Sequence, residues 1–492
     1  MGRRYLAFDL GASSGRAIAG DLKNGKLTLT EIHRFENGPV EKDGALYWDF
    51  DALWSEIKTG LKKAIAAGKP IHSVAADTWG VDYVLLKKDG TFARPPYHYR
   101  DKRNNGADDK LFEKVSEKDL YSRTGLQRMS FNTLFQLCAH QEQHPQDLQD
   151  TTLLLMPDAI TYLLCGKAAC EYTDASTTNL LDAKKRSWDM ELIERAGLPK
   201  TLFPEIAKPS TVAGVLRKEL QEELACGPIS VCHAGSHDTA SAVAAVPAPG
   251  SGHWAYVSCG TWALLGAEID KPILSELARK AHFTNEGGLD NKIRFLSNIM
   301  GTWLLQETRR VWGEQGNLFS FPEMEQMALS AQGFSTMVNP NDSRFLAPGD
   351  MPSNIVEACL ASGQAAPDSK AEVLRCIYDS LALCFRAKLE ELQKLLRVRY
   401  DYLNIVGGGI RARLLMQSVA DCLGIPVLAG PVEATAAGNL LAQARAAGDV
   451  CSLSASRDIV RMSFGVEEFK PEGGCKDAWD QAFAKYKKLF AS

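Results

Sequence analysis

The sequence predicts an α/β protein built as two similarly organised halves, and three observations carry that prediction. Strand-like and helix-like segments alternate along all 492 residues. A strand, a small-residue turn and a second strand recur in two places, as at the head of each half of a duplication. A stretch dense in proline and glycine lies near the midpoint, and the length itself suits two or three domains better than one.

The first strand–turn–strand is "YLAFDLGASSGRAIAGDL", Tyr5 to Leu22, in which an apolar run carries Asp9 near its end. It passes through Gly11, Ala12, Ser13, Ser14 and Gly15 and resumes as a strand, with Asn24-Gly25 placed as a hairpin turn. "LWSEIKTGLKKAIAAG" then has helical spacing, and "IHSVAADTWGVDYVLL" reads as strands about a polar turn. The linker-like stretch is "AAVPAPGSGH", Ala244 to His253, and divides the chain into domains 1–245 and 246–492. Beyond it "WAYVSCGTWALLGAEI" repeats the opening plan, and "AEVLRCIYDSLALCFRAKLEELQKLL" is a long amphipathic helix. A third glycine cluster, Gly407 to Gly409, joins an apolar strand to a helix, a turn that lets a helix N-terminus and bare backbone meet a nucleotide. Close strand–helix packing is the equal alternative for those glycines.

Composition narrows the function. Hydrophobic residues at 45% and charged residues at 24% describe an ordinary globular chain, and a net charge of −4 offers no general attraction for nucleic acid or anionic membrane. The expectation is small-molecule work. No apolar run reaches a membrane span, and Asp9 interrupts any secretory core at the start. Twelve scattered cysteines without paired spacing read as reduced, mostly buried thiols in a cytoplasm.

Two familiar phosphate loops do not fit the first turn. A Walker loop needs Lys followed by Ser or Thr after its last glycine, where this chain has Arg16 and Ala17. A dinucleotide fingerprint opens a helix, whereas this turn opens a strand. What remains is a hairpin whose backbone N–H groups and Ser13 and Ser14 hydroxyls can surround a polyphosphate, with Asp9 holding a magnesium ion through water. An ordinary N-terminal hairpin with a tight turn is the competing reading.

The motifs taken together resemble the sugar kinases of the FGGY family over nearly the whole chain. "FDLGASSGR" resembles the family's first phosphate motif, "SCGTWALLG" its second, and "VGGGIRARLLMQ" its adenosine motif. More particular matches are "DTWGVDYVLL", "YHYRD", "FNTLFQL", "GSHDTASAV", "FTNEGG", "NIMGTWLLQE" and "GPVEATAAGN". The resemblance implies two actin-like domains of the ribonuclease H-like ASKHA superfamily around a central cleft. It implies MgATP, a ketose bound mainly by the first domain, and phosphorylation of L-rhamnulose at its 1-hydroxyl. Alternatives are L-fuculose or another ketose as substrate and, from a different class, a non-catalytic nucleotide switch. No nucleic acid or membrane partner is expected, and the chain is expected as a monomer or homodimer.

Carried over residue by residue, the resemblance makes Asp238 the general base, which stands before an apolar helical run where the plainer role is a helix cap. It assigns Gly80, His237, Asp238, Thr239 and Asn298 to the sugar, with Gly80 letting the sugar approach the backbone beside Trp79. Ala12, Ser13, Ser14, Gly15, Arg16, Thr261, Gln306, Gly408 and Gly409 fall to ATP, and Asp9 to the metal through water. Asn298 and Gln306 are eight positions apart, so a helix would place both on one face. Glu286 and Glu433 are left structural. Ala412 and Met416 depart from the asparagines usual in relatives, and Cys259 from the usual serine.

Overall fold

The computed structural model describes residues 2–248 and 251–490, so Pro249 and Gly250 of the expected linker lie outside the described residues. The chain forms two compact units. The first holds the stretch up to Ala245 together with Glu268–Phe295 and Ala434–Ser463, and the second holds the stretch from Val246 to Ala267, Leu296–Glu433 and the stretch from Phe464 on. The chain therefore returns to the first unit twice after residue 245.

In the first unit a six-stranded sheet runs in the order Thr211–Val215, Ser230–His233, Ile71–Thr78, Arg3–Leu10, Ser14–Lys23, Lys26–Glu36. Strand Arg3–Leu10 pairs antiparallel with its hairpin partner and parallel with Ile71–Thr78. Asn24 and Gly25 both have positive φ, 53° and 72°, as the expected two-residue hairpin turn demands. Helix Phe50–Ala66 is capped by Asp49, which accepts from the Ala52 N–H at 2.9 Å. It lies directly on the sheet at Gly60, where a Cβ would stand 2.8 Å from the Phe8 ring.

The second sheet repeats that plan. Hairpin Trp254–Cys259 and Trp262–Ile269 is flanked by Ile293–Met300 on one side and, in parallel, by Tyr402–Val406 and Val427–Ala429 on the other. In both sheets an antiparallel hairpin of the first two strands has two strands parallel to its first strand on one side; on the other side lies the third strand in the first sheet and the fourth, Ile293–Met300, in the second, with Thr284–Gly287 outside it. The expected long helix spans Lys370–Leu396, opened by a capping box between Ser369 and Glu372. Seven of the twelve cysteines are buried, consistent with their use as small apolar residues. Among the described residues no helix is long and apolar enough to cross a membrane.

Candidate functional site

The sequence-predicted residues divide between the two units, and each set is described within its own. In the first unit the turn at Gly11 to Ser13 closes with the Gly11 N–H donating to the Ser14 carbonyl at 2.9 Å. Asn37, just past strand Lys26–Glu36, braces it: its backbone N–H donates to Ser13 O and its side-chain amide to Gly11 O at 2.8 Å. These bonds occupy carbonyls and leave the Ser13 and Ser14 hydroxyls uninvolved. Gly11 is not at positive φ, and a Cβ there would meet only Ser14 O at 3.4 Å, so its smallness is not required by the turn. Gly15 differs, because a Cβ would sit 2.2 Å from the Phe35 ring. Packing against Phe35 is sufficient reason for that glycine. Arg16, expected at the nucleotide, forms a 2.6 Å ion pair with Asp9, directly across the hairpin from it.

Asp9 is also paired in register with Asp77 on the neighbouring parallel strand. Asp77 is fully buried and accepts from the Asn439 amide at 2.6 Å, while its Oδ1 has no hydrogen-bond partner. Burial pushes its carboxyl well above the usual range, with further increments from Asp9 and Asp238. Among the described residues no three His, Cys, Asp or Glu side chains converge as a ligand set for a metal. A hard cation that keeps its waters needs no such set, and the unpartnered oxygen of Asp77 beside Asp9 is the donor chemistry it takes. Asp77 and Asn439 escaped the sequence reading because only strand register and a helix from the far end of the chain bring them to Asp9.

Asp238 is the first residue of helix Asp238–Ala244, with His237 at the N-cap and no side-chain capping bond. The plain role of a helix cap therefore does not fall to Asp238. Its carboxylate is half-buried, accepts from the Thr239 hydroxyl at 3.0 Å and lies 3.5 Å from His237 Nε2. The preceding loop is fixed by buried Glu171 and Thr173: the Ser236 N–H donates to Glu171 Oε2 at 3.1 Å and the His237 N–H to Thr173 Oγ1 at 3.2 Å. Burial raises the Glu171 carboxyl to about 7 despite those donors. Ser236 O accepts from the Thr78 N–H at 2.9 Å, which ties the Asp238 loop to the end of the Asp77 strand. His237, Asp238 and Thr239 are thus assembled beside Asp9 and Asp77.

At Gly80 a Cβ would meet Thr177 Oγ1 at 2.9 Å, and that hydroxyl accepts from the Val81 N–H at 3.1 Å. This contact within the chain accounts for the glycine, so the expected approach of sugar to backbone is not what demands it. Trp79 is buried against Trp48, with ring centroids 3.9 Å apart. Both indole N–H groups donate to one oxygen of Asp82, at 3.0 and 2.6 Å. Burial lifts the Asp82 carboxyl to about 6 against donors from Gln136, Trp48, Trp79 and Tyr99.

In the second unit Thr261 and Gln306 come together. The Thr261 hydroxyl lies 3.3 Å from Gln306 Oε1, and the Gln306 amide donates to Thr302 Oγ1 at 3.0 Å. The turn at Gly260 is sealed by Gly301 and Thr302, whose N–H groups donate to Thr261 O and Gly260 O at 3.0 Å each. The expected single helix through Asn298 and Gln306 does not exist. Asn298 lies in strand Ile293–Met300 and Gln306 in helix Trp303–Glu314, because Gly301 and Thr302 break the chain between them. The apolar run "IRFLSNIM" is buried as a strand, a possibility its length leaves open.

Of the three glycines, Gly407 and Gly409 pack against Cys259, where a Cβ would stand 2.8 Å from its carbonyl oxygen and 2.3 Å from its sulfur. A serine-sized thiol preserves that packing, and burial raises its pKa to about 12. Gly408 is exposed with nothing within 4 Å of a Cβ, so no packing explains it. The following helix, Arg413–Leu423, has no side-chain cap from Ala412, and the Leu414 N–H is instead taken by the Glu325 carboxylate. Met416, the other departure, is fully buried.

Comparison with known proteins places this geometry. Residues 4–245 match the N-terminal domain of the FGGY family of carbohydrate kinases, and residues 255–447 match its C-terminal domain. The chain is 41% identical over 488 residues to a rhamnulokinase of Bacteroides thetaiotaomicron, covering 99% of both chains. It is 40% identical to a rhamnulokinase of Bacillus subtilis, covering 95% of each. Solved structures of similar fold include ligand-bound xylulose kinase from Lactobacillus acidophilus, with a TM-score of 0.82, 14% identity and coverage of 99% and 97%. Plasmodium falciparum glycerol kinase with ADP has a TM-score of 0.80 at 15% identity, covering 99% and 98%. These likenesses show the two-unit, actin-like α/β fold.

Proposed function

Because this chain belongs to the FGGY family of carbohydrate kinases, we propose that it is an ATP-dependent kinase of L-rhamnulose. In this reading it transfers the γ-phosphoryl group of ATP to the sugar's 1-hydroxyl, in the cytoplasm, as a step of rhamnose use. The observation that carries it is the placement of Asp238, a half-buried carboxylate held by Thr239 beside His237 and tied through Thr78 to the Asp9–Asp77 pair. The rhamnulokinase relatives at about this identity over nearly full length support the choice of sugar.

Asp238 takes the proton of the acceptor hydroxyl as its oxygen bonds to the γ-phosphorus, and the bond from that phosphorus to the ADP oxygen breaks. His237 donates to a sugar hydroxyl and Thr239 keeps the Asp238 carboxylate turned to the acceptor. Asp9 and Asp77 would hold Mg²⁺, which would supply neutralisation of the phosphate charge. Arg16 keeps Asp9 in place. Within the first unit the hydroxyls of Ser13 and Ser14, with the backbone of Ala12 and Gly15, meet the phosphates. Within the second unit Thr261 and Gln306 are the phosphate-side groups, Gly408 the nucleoside-side group and Asn298 the sugar-side group.

The test is ADP release by purified protein over L-rhamnulose, L-fuculose, L-xylulose, D-xylulose and glycerol. L-rhamnulose should give the largest kcat/KM. Preference for L-fuculose would reassign the substrate within the family, and no sugar-dependent ADP release would sink the kinase reading.

A further inference from the structure

His237 is surrounded by charged groups whose distances assign its proton. Arg294 Nη2 lies 3.1 Å from Nδ1, Glu286 Oε2 lies 3.4 Å from the same nitrogen, and Asp238 Oδ1 lies 3.5 Å from Nε2. A guanidinium has N–H donors and no acceptor, so the ring nitrogen in hydrogen-bond reach of it must accept. An accepting Nδ1 in a neutral imidazole leaves the proton on Nε2, the nitrogen facing Asp238.

Arg294 has little freedom to act otherwise. Its side chain is fully buried on strand Ile293–Met300, and its Nε donates to the Gly287 carbonyl at 2.7 Å. Nη1 lies 3.1 Å from Glu286 Oε2, on strand Thr284–Gly287, so the buried cation has a buried counter-ion. Burial alone would raise the Glu286 carboxyl, but the charge of the adjacent Arg294 guanidinium opposes this, and the carboxyl lies below its usual range.

We propose that Arg294 is a positioning residue for phosphoryl transfer. It fixes His237 as the Nε2–H tautomer, so that the ring presents a donor to a sugar hydroxyl beside the Asp238 carboxylate, and Glu286 serves as the counter-ion of Arg294. The inference rests on the reading of His237 and Asp238 given above. At 3.5 Å the His237–Asp238 contact is too long for a strong hydrogen bond, which leaves both atoms available to a hydroxyl. With the proton on Nδ1 instead, Nε2 would turn a lone pair toward that carboxylate and the sugar would lose its donor.

Full-length protein carrying ¹⁵N-histidine, recorded without ligands in a long-range ¹H–¹⁵N correlation spectrum, reads the tautomer directly. His237→Gln identifies the signals. The wild-type ring should show a protonated Nε2 and a bare Nδ1. Arg294→Met should move the proton to Nδ1, where Glu286 is the remaining partner. It should also lower kcat/KM for the sugar by about 10²-fold, the typical cost of a misplaced group, with the KM for MgATP changed less than about 3-fold. Arg294→Lys, which keeps the charge and a donor, should retain the wild-type tautomer and recover about 10-fold of the loss. A wild-type proton on Nδ1 overturns the proposal, as does a folded Arg294→Met with wild-type tautomer and kinetics. Should Arg294→Met fail to fold by circular dichroism, the wild-type and Arg294→Lys spectra decide. The tautomer is read without substrate, so a different preferred sugar would sink the substrate reading and leave the proton assignment standing.

Discussion

Asp9 and Asp77 occupy paired positions on two parallel strands, placing two carboxylates at the same end of one sheet. Arg16 neutralises the first at 2.6 Å, and the second, buried and raised well above the usual carboxylate range, has one oxygen without a partner. Such a pair has a reason to exist when a cation joins it.

If the pair serves Mg²⁺, Asp9→Asn and Asp77→Asn should each raise the free Mg²⁺ needed for half-maximal rate by about 10-fold, the loss expected for a charge-assisted contact of roughly 1.4 kcal/mol. Sugar binding measured by calorimetry without nucleotide should stay nearly constant. Unchanged Mg²⁺ dependence in both variants would remove the pair from that role.

Asp238→Asn keeps the shape of the side chain and removes its basicity. Turnover should fall by about 10²-fold or more while thermal stability and MgATP affinity remain close to wild type, as for loss of a general base. Near-normal turnover in a folded variant would eliminate Asp238 as the proton acceptor.

Asp82 gives a pH test that can be read in tryptophan fluorescence. Its folded pKa of about 6 lies above the unfolded carboxylate value, so the native state holds this proton more tightly than the unfolded state. The contribution to stability is present at low pH and declines as pH rises from about 4 through about 6, by on the order of 2–3 kcal/mol for a fully buried group. Ionisation changes the acceptor shared by Trp48 and Trp79, so emission should titrate near pH 6, and the Asp82→Asn variant should lack that step. A titration identical in both proteins would contradict the assignment. Asp82→Ala should be less stable than Asp82→Asn by about 1–3 kcal/mol, because two buried indole N–H groups lose their acceptor.

Gly11 and Gly438 make opposite predictions. A Cβ at Gly438 would stand 1.8 Å from the Ser241 carbonyl oxygen, where helix Ala434–Ala446 meets helix Asp238–Ala244 backbone to backbone. Gly438→Ala should cost about 1–3 kcal/mol through overpacking and shift the Asp238 helix, seen as a lowered melting temperature together with lowered turnover. Gly11→Ala has room within the chain, so its melting temperature should hold while the KM for MgATP rises. Wild-type MgATP kinetics in Gly11→Ala would mean that the first turn does not meet the phosphates closely.

Much of this was legible in the sequence, and the pattern of success has a physical basis. The hairpin at Asn24-Gly25, the helix Phe50–Ala66, the long helix Lys370–Leu396 and the repeated strand–turn–strand follow from periodicity and turn chemistry within a few neighbouring residues. Asn298 failed on the same ground, since spacing of eight is helical only if no break such as Gly301-Thr302 intervenes.

The sequence by itself determined the alternating α/β order, the two small-residue turns and the motif residues from Asp9 to Gly409 that mark a sugar kinase of this family. The tertiary structure alone decided that Gly15 answers to Phe35, Gly80 to Thr177 and Gly409 to Cys259, each a contact whose partner is distant in the chain. It alone placed Asp77 and Asn439 beside Asp9, and Arg294 and Glu286 around His237. The division follows from the range of the forces involved. Backbone preference and side-chain periodicity act over a few residues and are written locally. Which carboxylate faces which cation depends on strand order, register and burial, and these exist only once the chain has packed.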